Sequence, residues 1–261
     1  MKAKTNGIEL NYEIEGEEGP WVVLSHSLAC NLHMWDEQVE LLRDRFRVLA
    51  FDTRGHGKSD APSGAYTLDE LVEDARGLLS GLGIDKAHWV GLSMGGMIGM
   101  LYALKYPETF ESLVLCDTSS RIPAELAPAW QDRIKMANEQ GMQALVEGTL
   151  GRWFTEPFVK SGNEVTATVA EMIVSTPVAG FTGCCHAIPQ LDCTDELGAI
   201  GCPVQIIVGE QDAGTPVAMS EAIHAAIPGS ELVIVSDASH LSNLEQPERF
   251  NLALDGFLST Q

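Results

Sequence analysis

The sequence predicts an α/β protein: a mostly parallel sheet with helices on both faces, interrupted late in the chain by an all-helical insertion. Two observations carry this. Short apolar, β-branched runs alternate with stretches whose apolar residues recur at helical spacing, and that alternation builds a parallel sheet from strand–helix–strand units. From Arg121 to about Leu197 those runs stop and helix formers take over. The expected organisation is a single domain, with residues 1–120 and 198–261 as its core and 121–197 as a helical cap. The cap is expected over the C-terminal edge of the sheet, where such folds bind ligands.

The elements follow in order. Gly7 to Glu15 alternates, with Ile8, Leu10, Tyr12 and Ile14 on one side, as a half-exposed strand does. Trp21 to Leu24 and Arg47 to Phe51 read as buried strands, with helical Met34 to Arg43 between them. Leu68, Leu71, Val72, Ala75, Leu78, Leu79 and Leu82 share one helical face behind Thr67, a suitable N-cap. A strand ending near Ser93, a helix to about Lys105 and the apolar run Leu113 to Cys116 come next. After the insertion, strands resume at Val204 to Val208 and Leu232 to Val235, and a helix carrying Phe250, Leu254, Phe257 and Leu258 closes the chain.

Composition narrows the function classes. The 261 residues carry 16 Lys+Arg against 37 Asp+Glu, a net charge of −21. Such a surface repels phosphate backbones and anionic headgroups, so neither nucleic acid nor a membrane is an expected partner, and it works weakly against anionic substrates too. Met1 to Gly7 lacks the basic and apolar segments of a signal peptide, and no run approaches the roughly 20 apolar residues of a spanning helix. Cytoplasmic residence is therefore expected. Cys30, Cys116, Cys184, Cys185, Cys193 and Cys202 show no C-x-x-C spacing and read as reduced thiols. No metal and no cofactor is implied, and oligomeric state is not legible.

Gly91-Leu92-Ser93-Met94-Gly95 matches G-x-S-x-G between a strand and a helix. That is the context in which a serine hydroxyl projects from a tight turn as a nucleophile. The Met94 amide then lies at a helix N-terminus, suited to an oxyanion. A serine needs a base. In sheets with this turn the partners follow in the order serine, acid, histidine, leaving His186, His224 and His240. His224 sits on an amphipathic helix and His186 in the cap, where it can touch substrate, so His240, in the loop after the last strand, is the candidate base. Asp212, after Ile206-Ile207-Val208, is the candidate acid, with Glu210 and Asp117 as alternatives. The second oxyanion donor falls to the Leu28 amide in Ser25-His26-Ser27-Leu28, with His26 as a support beneath that loop. Trp35, Trp130, Trp153 and Met136 are candidate pocket residues, although such side chains more often simply pack.

These stretches, with Asp52-Thr53-Arg54-Gly55-His56-Gly57-Lys58-Ser59 and Ser239 to Glu245, resemble the α/β-hydrolase superfamily over the whole length. The resemblance implies an eight-stranded sheet with the cap inserted after strand 6. It also makes Asp52 to Ser59 a structural turn. Within the superfamily, Leu24 to Leu28 with Met34-Trp35, Arg152 to Thr155, and Gly183 to Ile188 are similar to 3-oxoadipate enol-lactonases. That likeness implies cleavage of a small-molecule carboxylic ester or lactone through an acyl-enzyme. The alternatives sharing the triad are a general carboxylesterase, a carbon–carbon bond hydrolase and a perhydrolase; a ligand receptor on a hydrolase scaffold is the non-enzymatic one. The enol-lactone bears a carboxylate and implies a cation in the pocket. No Lys or Arg occurs from Ser161 through Glu248, and Ala187 to Gln190 stands where relatives often carry an arginine. A cap-borne cation must therefore be Arg121, Arg133, Lys135, Arg152 or Lys160. Arg133 joins Trp35, Trp130, Trp153 and His186 as the expected substrate contacts.

Overall fold

The computed structural model covers residues 1–261. Its strands are β1 (Lys2–Thr5), β2 (Ile8–Glu15), β3 (Trp21–Ser25), β4 (Arg47–Phe51), β5 (Ala87–Leu92), β6 (Phe110–Cys116), β7 (Val204–Gly209) and β8 (Glu231–Val235). They form one sheet in the order β1-β2-β4-β3-β5-β6-β7-β8. β1 and β2 are antiparallel to their neighbours, and every pairing from β4 to β8 is parallel. Strands β5 and β7 are buried at every residue, as their unbroken apolar runs require.

β1 was not expected. Its polar residues hide a strand, yet Asn6 (φ 43°) and Gly7 (φ 79°) form the two-residue turn that pairs Thr5 with Ile8. Asn-Gly is the dipeptide best able to hold two positive φ angles in a hairpin.

The helices of the core are α1 (Asp36–Leu42), α2 (Leu68–Gly81) and α3 (Met94–Lys105) before the insertion, and α9 (Val217–Ala226), α10 (Ser242–Glu245) and α11 (Pro247–Leu258) after it. α2 packs on α3, and α1 on α11. Thr67 caps α2 as expected, in a reciprocal capping box with Glu70. All six cysteines are unpaired. No single helix is long and apolar enough to cross a membrane.

Between β6 and β7 the chain is helical: α4 (Ala127–Gln140), α5 (Val146–Trp153), α6 (Glu156–Lys160), α7 (Glu164–Ser175) and α8 (Val178–Ala187). Three sets of contacts fix this insertion in place. Its two ends are tied by Arg121, whose Nε donates to Asp192 Oδ1 at 2.5 Å. α8 lies directly on the turn after β4: a Cβ at Gly180 would collide with the Gly55 backbone, one at Gly183 would lie 2.7 Å from the Tyr66 ring, and Tyr66 N–H donates to Gly183 O at 3.1 Å. Glu245 supplies the third. Its Oε1 accepts from Thr155 N–H (2.9 Å) at the end of α5, and its Oε2 accepts from Ser239 N–H (2.8 Å).

Candidate active site

Ser93 stands at the bend from β5 into α3 with φ 54°, a left-handed conformation that costs a non-glycine residue energy. The surroundings enforce it. A Cβ at Gly91 would strike the Gly95 carbonyl, and one at Gly95 would strike the Ser25 carbonyl. Ser93 N–H donates to Cys116 O (2.8 Å), and Thr118 Oγ1 donates to Ser93 O (2.7 Å), so the bend is pinned to the end of β6 and to the loop that follows it. The Ser93 hydroxyl makes no hydrogen bond within the chain. It faces a cavity of about 550 Å³, which His240 also lines.

His240 Nδ1–H donates to Asp212 Oδ2 at 2.8 Å, leaving Nε2 free of any protein partner. Asp212 is held in turn: Oδ1 accepts from the N–H groups of Gly214 (2.7 Å) and Thr215 (2.9 Å), and Oδ2 from Thr215 Oγ1 (2.7 Å). Burial pushes the Asp212 carboxyl upward, but the charge and hydrogen bond of His240, with the Thr215 donors, outweigh it and hold the group below the usual carboxylate range. The other two acids stand elsewhere. Glu210 is exposed on the surface. Asp117 is buried behind the site, accepting from Gly209 N–H (2.8 Å) and Ser242 Oγ (2.5 Å). Of the three acids, only Asp212 hydrogen-bonds His240. Thr215 and Glu245 were not singled out from the sequence. For Thr215 a signal existed, since an Asp side chain commonly captures amides two and three residues on.

Leu28 lines the same cavity, and its N–H donates to no acceptor in the chain. Met94 begins α3, where backbone N–H groups lack intrahelical acceptors. Two buried imidazoles hold the Leu28 loop. His26 donates from Nδ1 to Ser27 O (2.7 Å) and accepts Thr53 N–H at Nε2 (2.9 Å). His56 donates from Nδ1 to Arg54 O (3.1 Å) and accepts Ala29 N–H at Nε2 (3.0 Å). An Nε2 that accepts is unprotonated, so both rings are neutral in this arrangement. Burial lowers both pKa values, that of His56 to about 3. His26 is thus the loop support expected, with His56 as its unforeseen counterpart.

Of the expected substrate contacts, Trp130, Arg133 and Trp153 line the cavity, as does Met136. Two do not. Trp35 is fully buried against Phe250, 6.3 Å between ring centroids, because the turn it ends leads into α1, which packs on α11. His186 is exposed on α8, whose buried residues are Gly180, Phe181, Gly183, Cys184, Cys185 and Ala187.

The cap cations separate cleanly. Arg121 is bound by Asp192 and Asp195, Lys160 by Glu156, and Lys135 does not line the cavity. Arg133 and Arg152 line it, and neither forms a salt bridge. Arg133 stacks over the Trp130 ring at 4.6 Å. Arg152 has one weak hydrogen bond, to Thr149 Oγ1 at 3.4 Å. Burial lowers the pKa of both, and burial followed by repulsion from Arg133 takes Arg152 to about 10. Asp132, also in the lining, pairs with neither.

Comparison with known proteins gives three kinds of likeness. Residues 20–247 match the family model of the alpha/beta hydrolase fold. The chain is 35% identical over 252 residues to 3-oxoadipate enol-lactonase 2 of Acinetobacter baylyi, covering 96% of this chain and 93% of that protein. Among solved structures it superposes on the enol-lactonase from Burkholderia xenovorans LB400 with a TM-score of 0.96 and 38% identity, covering 99% of this chain and 100% of the other. A thermophilic esterase from Thermogutta terrifontis, solved with malate bound, gives 0.94 and 33%, covering 100% of this chain and 98% of that one.

Proposed function

The chain belongs to the alpha/beta hydrolase family, and we propose that it is a serine hydrolase of carboxylate-bearing esters or lactones, with 3-oxoadipate enol-lactone as the leading candidate substrate. One observation carries the proposal: two guanidinium groups without acidic partners line the cavity that holds Ser93 and His240. Partly buried, unpaired cations are costly, and a carboxylate accepting from their planar forks offsets that cost. The net charge of −21 is a property of the whole surface, whereas Arg133 and Arg152 act at contact range. The malate in the similar Thermogutta esterase is itself a carboxylate and accords with this reading.

In the proposed reaction Ser93 Oγ bonds to the substrate's carbonyl carbon while its proton passes to His240 Nε2. The carbonyl oxygen, now anionic, accepts from the Leu28 and Met94 amides. The acyl carbon–oxygen bond breaks as the His240 proton goes to the departing oxygen, which leaves as alcohol or enol. A water then gives a proton to His240 and its oxygen to the acyl carbon; release of the acid returns the proton to Ser93. Asp212 keeps the Nδ1–H tautomer and stabilises the imidazolium.

A kinetic panel of neutral esters, neutral lactones and carboxylate-bearing enol-lactones tests this. The charged lactones are expected to lead in kcat/KM, with the lead shrinking at high salt. Equal values across the panel would leave a general carboxylesterase. Hydrolysis of a p-nitrophenyl ester surviving in Ser93→Ala would remove the nucleophile.

A further inference from the structure

Cavity size and wall chemistry go further than the carboxylate. An enol-lactone of about ten non-hydrogen atoms, at roughly 30 Å³ each as an upper bound, fills about 300 Å³. The cavity is about 550 Å³, so a substantial part of it is left over. The walls show what suits the remainder. Leu126, Ala129, Trp130, Arg133 and Met136 recur at three- and four-residue spacing and so form one face of α4 and its N-terminal turn. Arg133 lies within this face, with about 10 Å of apolar wall running back to Leu126 at 1.5 Å per residue. Leu145 extends the apolar lining from the turn after α4. Leu126 and Met136 are 40% and 36% exposed, two of the six large apolar side chains the protein leaves open to solvent. Both also line the cavity, so their apolar surface stands where an apolar part of a ligand would cover it.

We infer that the cavity has an apolar seat beside its cationic one, and that preferred substrates join the carboxylate and the reacting ester or lactone to an alkyl or aryl chain. At roughly 1.2 Å per bond of an extended chain, the wall accommodates up to about eight carbons. This rests on the carboxylate-recognising hydrolase reading above and adds the third substituent.

The test uses two ester series with the native enzyme: monoalkyl succinates from methyl to octyl, and methyl 2-alkylsuccinates over the same lengths. Together they place the chain on the leaving-group side and the acyl side. In at least one series kcat/KM is expected to rise about fourfold per methylene and to level off by about eight carbons. The variant Leu126→Gln/Met136→Gln, altered at partly exposed positions, is expected to show a shallower rise. A flat or falling dependence in both series, with the methyl half-ester still turned over and still weakened by Arg152→Ala, overturns the apolar seat and leaves the proposed function standing. No turnover of any half-ester, alongside Ser93-dependent hydrolysis of neutral esters, overturns the carboxylate reading itself.

Discussion

Replacing Arg152 by methionine tests the cation pair on two axes, and the two effects have opposite signs. Arg152 is half-buried, has no acidic partner, and is depressed to a pKa of about 10 by burial and by Arg133. For a base, a lowered pKa means that the fold disfavours the charged form, so the cost is present at every pH below 10 and fades above it. Taken at face value it is about 3 kcal/mol. Solvent screening of a half-exposed side chain reduces this to about 1 kcal/mol. Methionine fills similar space without the charge, so Arg152→Met is expected to raise Tm by roughly 2–4 °C at neutral pH. On the proposed reading the same change also removes charged hydrogen bonds to a substrate carboxylate, worth about 1.5–3 kcal/mol, or roughly 10–150-fold in kcat/KM. Scanning calorimetry reads the first effect. Initial rates at low salt on a carboxylate-bearing lactone and on its methyl ester read the second, the neutral ester changing by less than about threefold. A lower Tm with an unaltered charged-to-neutral ratio would make Arg152 a packing residue and remove the basis for carboxylate recognition.

Three further outcomes follow from the same geometry. Asp212→Asn cannot hold the Nδ1–H tautomer of His240 and is expected to lower kcat about 10⁴-fold; a loss under tenfold on a p-nitrophenyl ester would hand the role to another acid. At Asp117, burial and then the Asp212 charge push the carboxyl well above its usual range. The fold therefore favours its protonated form, a contribution present at low pH and lost as pH rises toward the folded-state value. The stability of Asp117→Asn relative to the native protein, from urea midpoints, should accordingly increase from about pH 4 upward, and a constant difference contradicts it. Gly180→Ala forces a methyl into the Gly55 backbone, costing about 1–3 kcal/mol and several degrees of Tm; an unchanged Tm would mean that α8 is not seated on that turn.

The sequence reveals most where a local rule has one solution. Ser93 stands out because only glycines fit at 91 and 95, and chain order then leads to Asp212 and His240, which the structure joins at 2.8 Å. Strands β5 and β7 are legible because both of their faces are buried. β1 is not, because its identity resides in the Asn6-Gly7 turn rather than in its side chains. The cap is least legible, since which wall a side chain meets there is decided by packing between helices. Trp130 and Trp153 meet the cavity while His186, in the same insertion, meets solvent. The same holds for its cations. Lys160 is occupied by Glu156 four residues earlier, a pairing visible in the sequence. Arg121 is occupied by acids more than 70 residues away, which no local reading identifies.

Ser93, Asp212, His240 and Leu28 all stand in loops that follow sheet strands, whereas Arg133, Arg152, Leu126 and Met136 all belong to the segment between β6 and β7. On the proposed reading, the reacting groups and the groups that choose the substrate are thereby carried on separate parts of one chain. Randomising α4 alone is expected to change which molecules are admitted, whereas exchanging the whole helical segment would also replace Trp153, whose ring lies 6.1 Å from that of His240 and whose carbonyl accepts from Leu241 N–H. Selection for new substrates in this scaffold should therefore collect its substitutions between Leu126 and Trp153 and leave the strand-end loops alone.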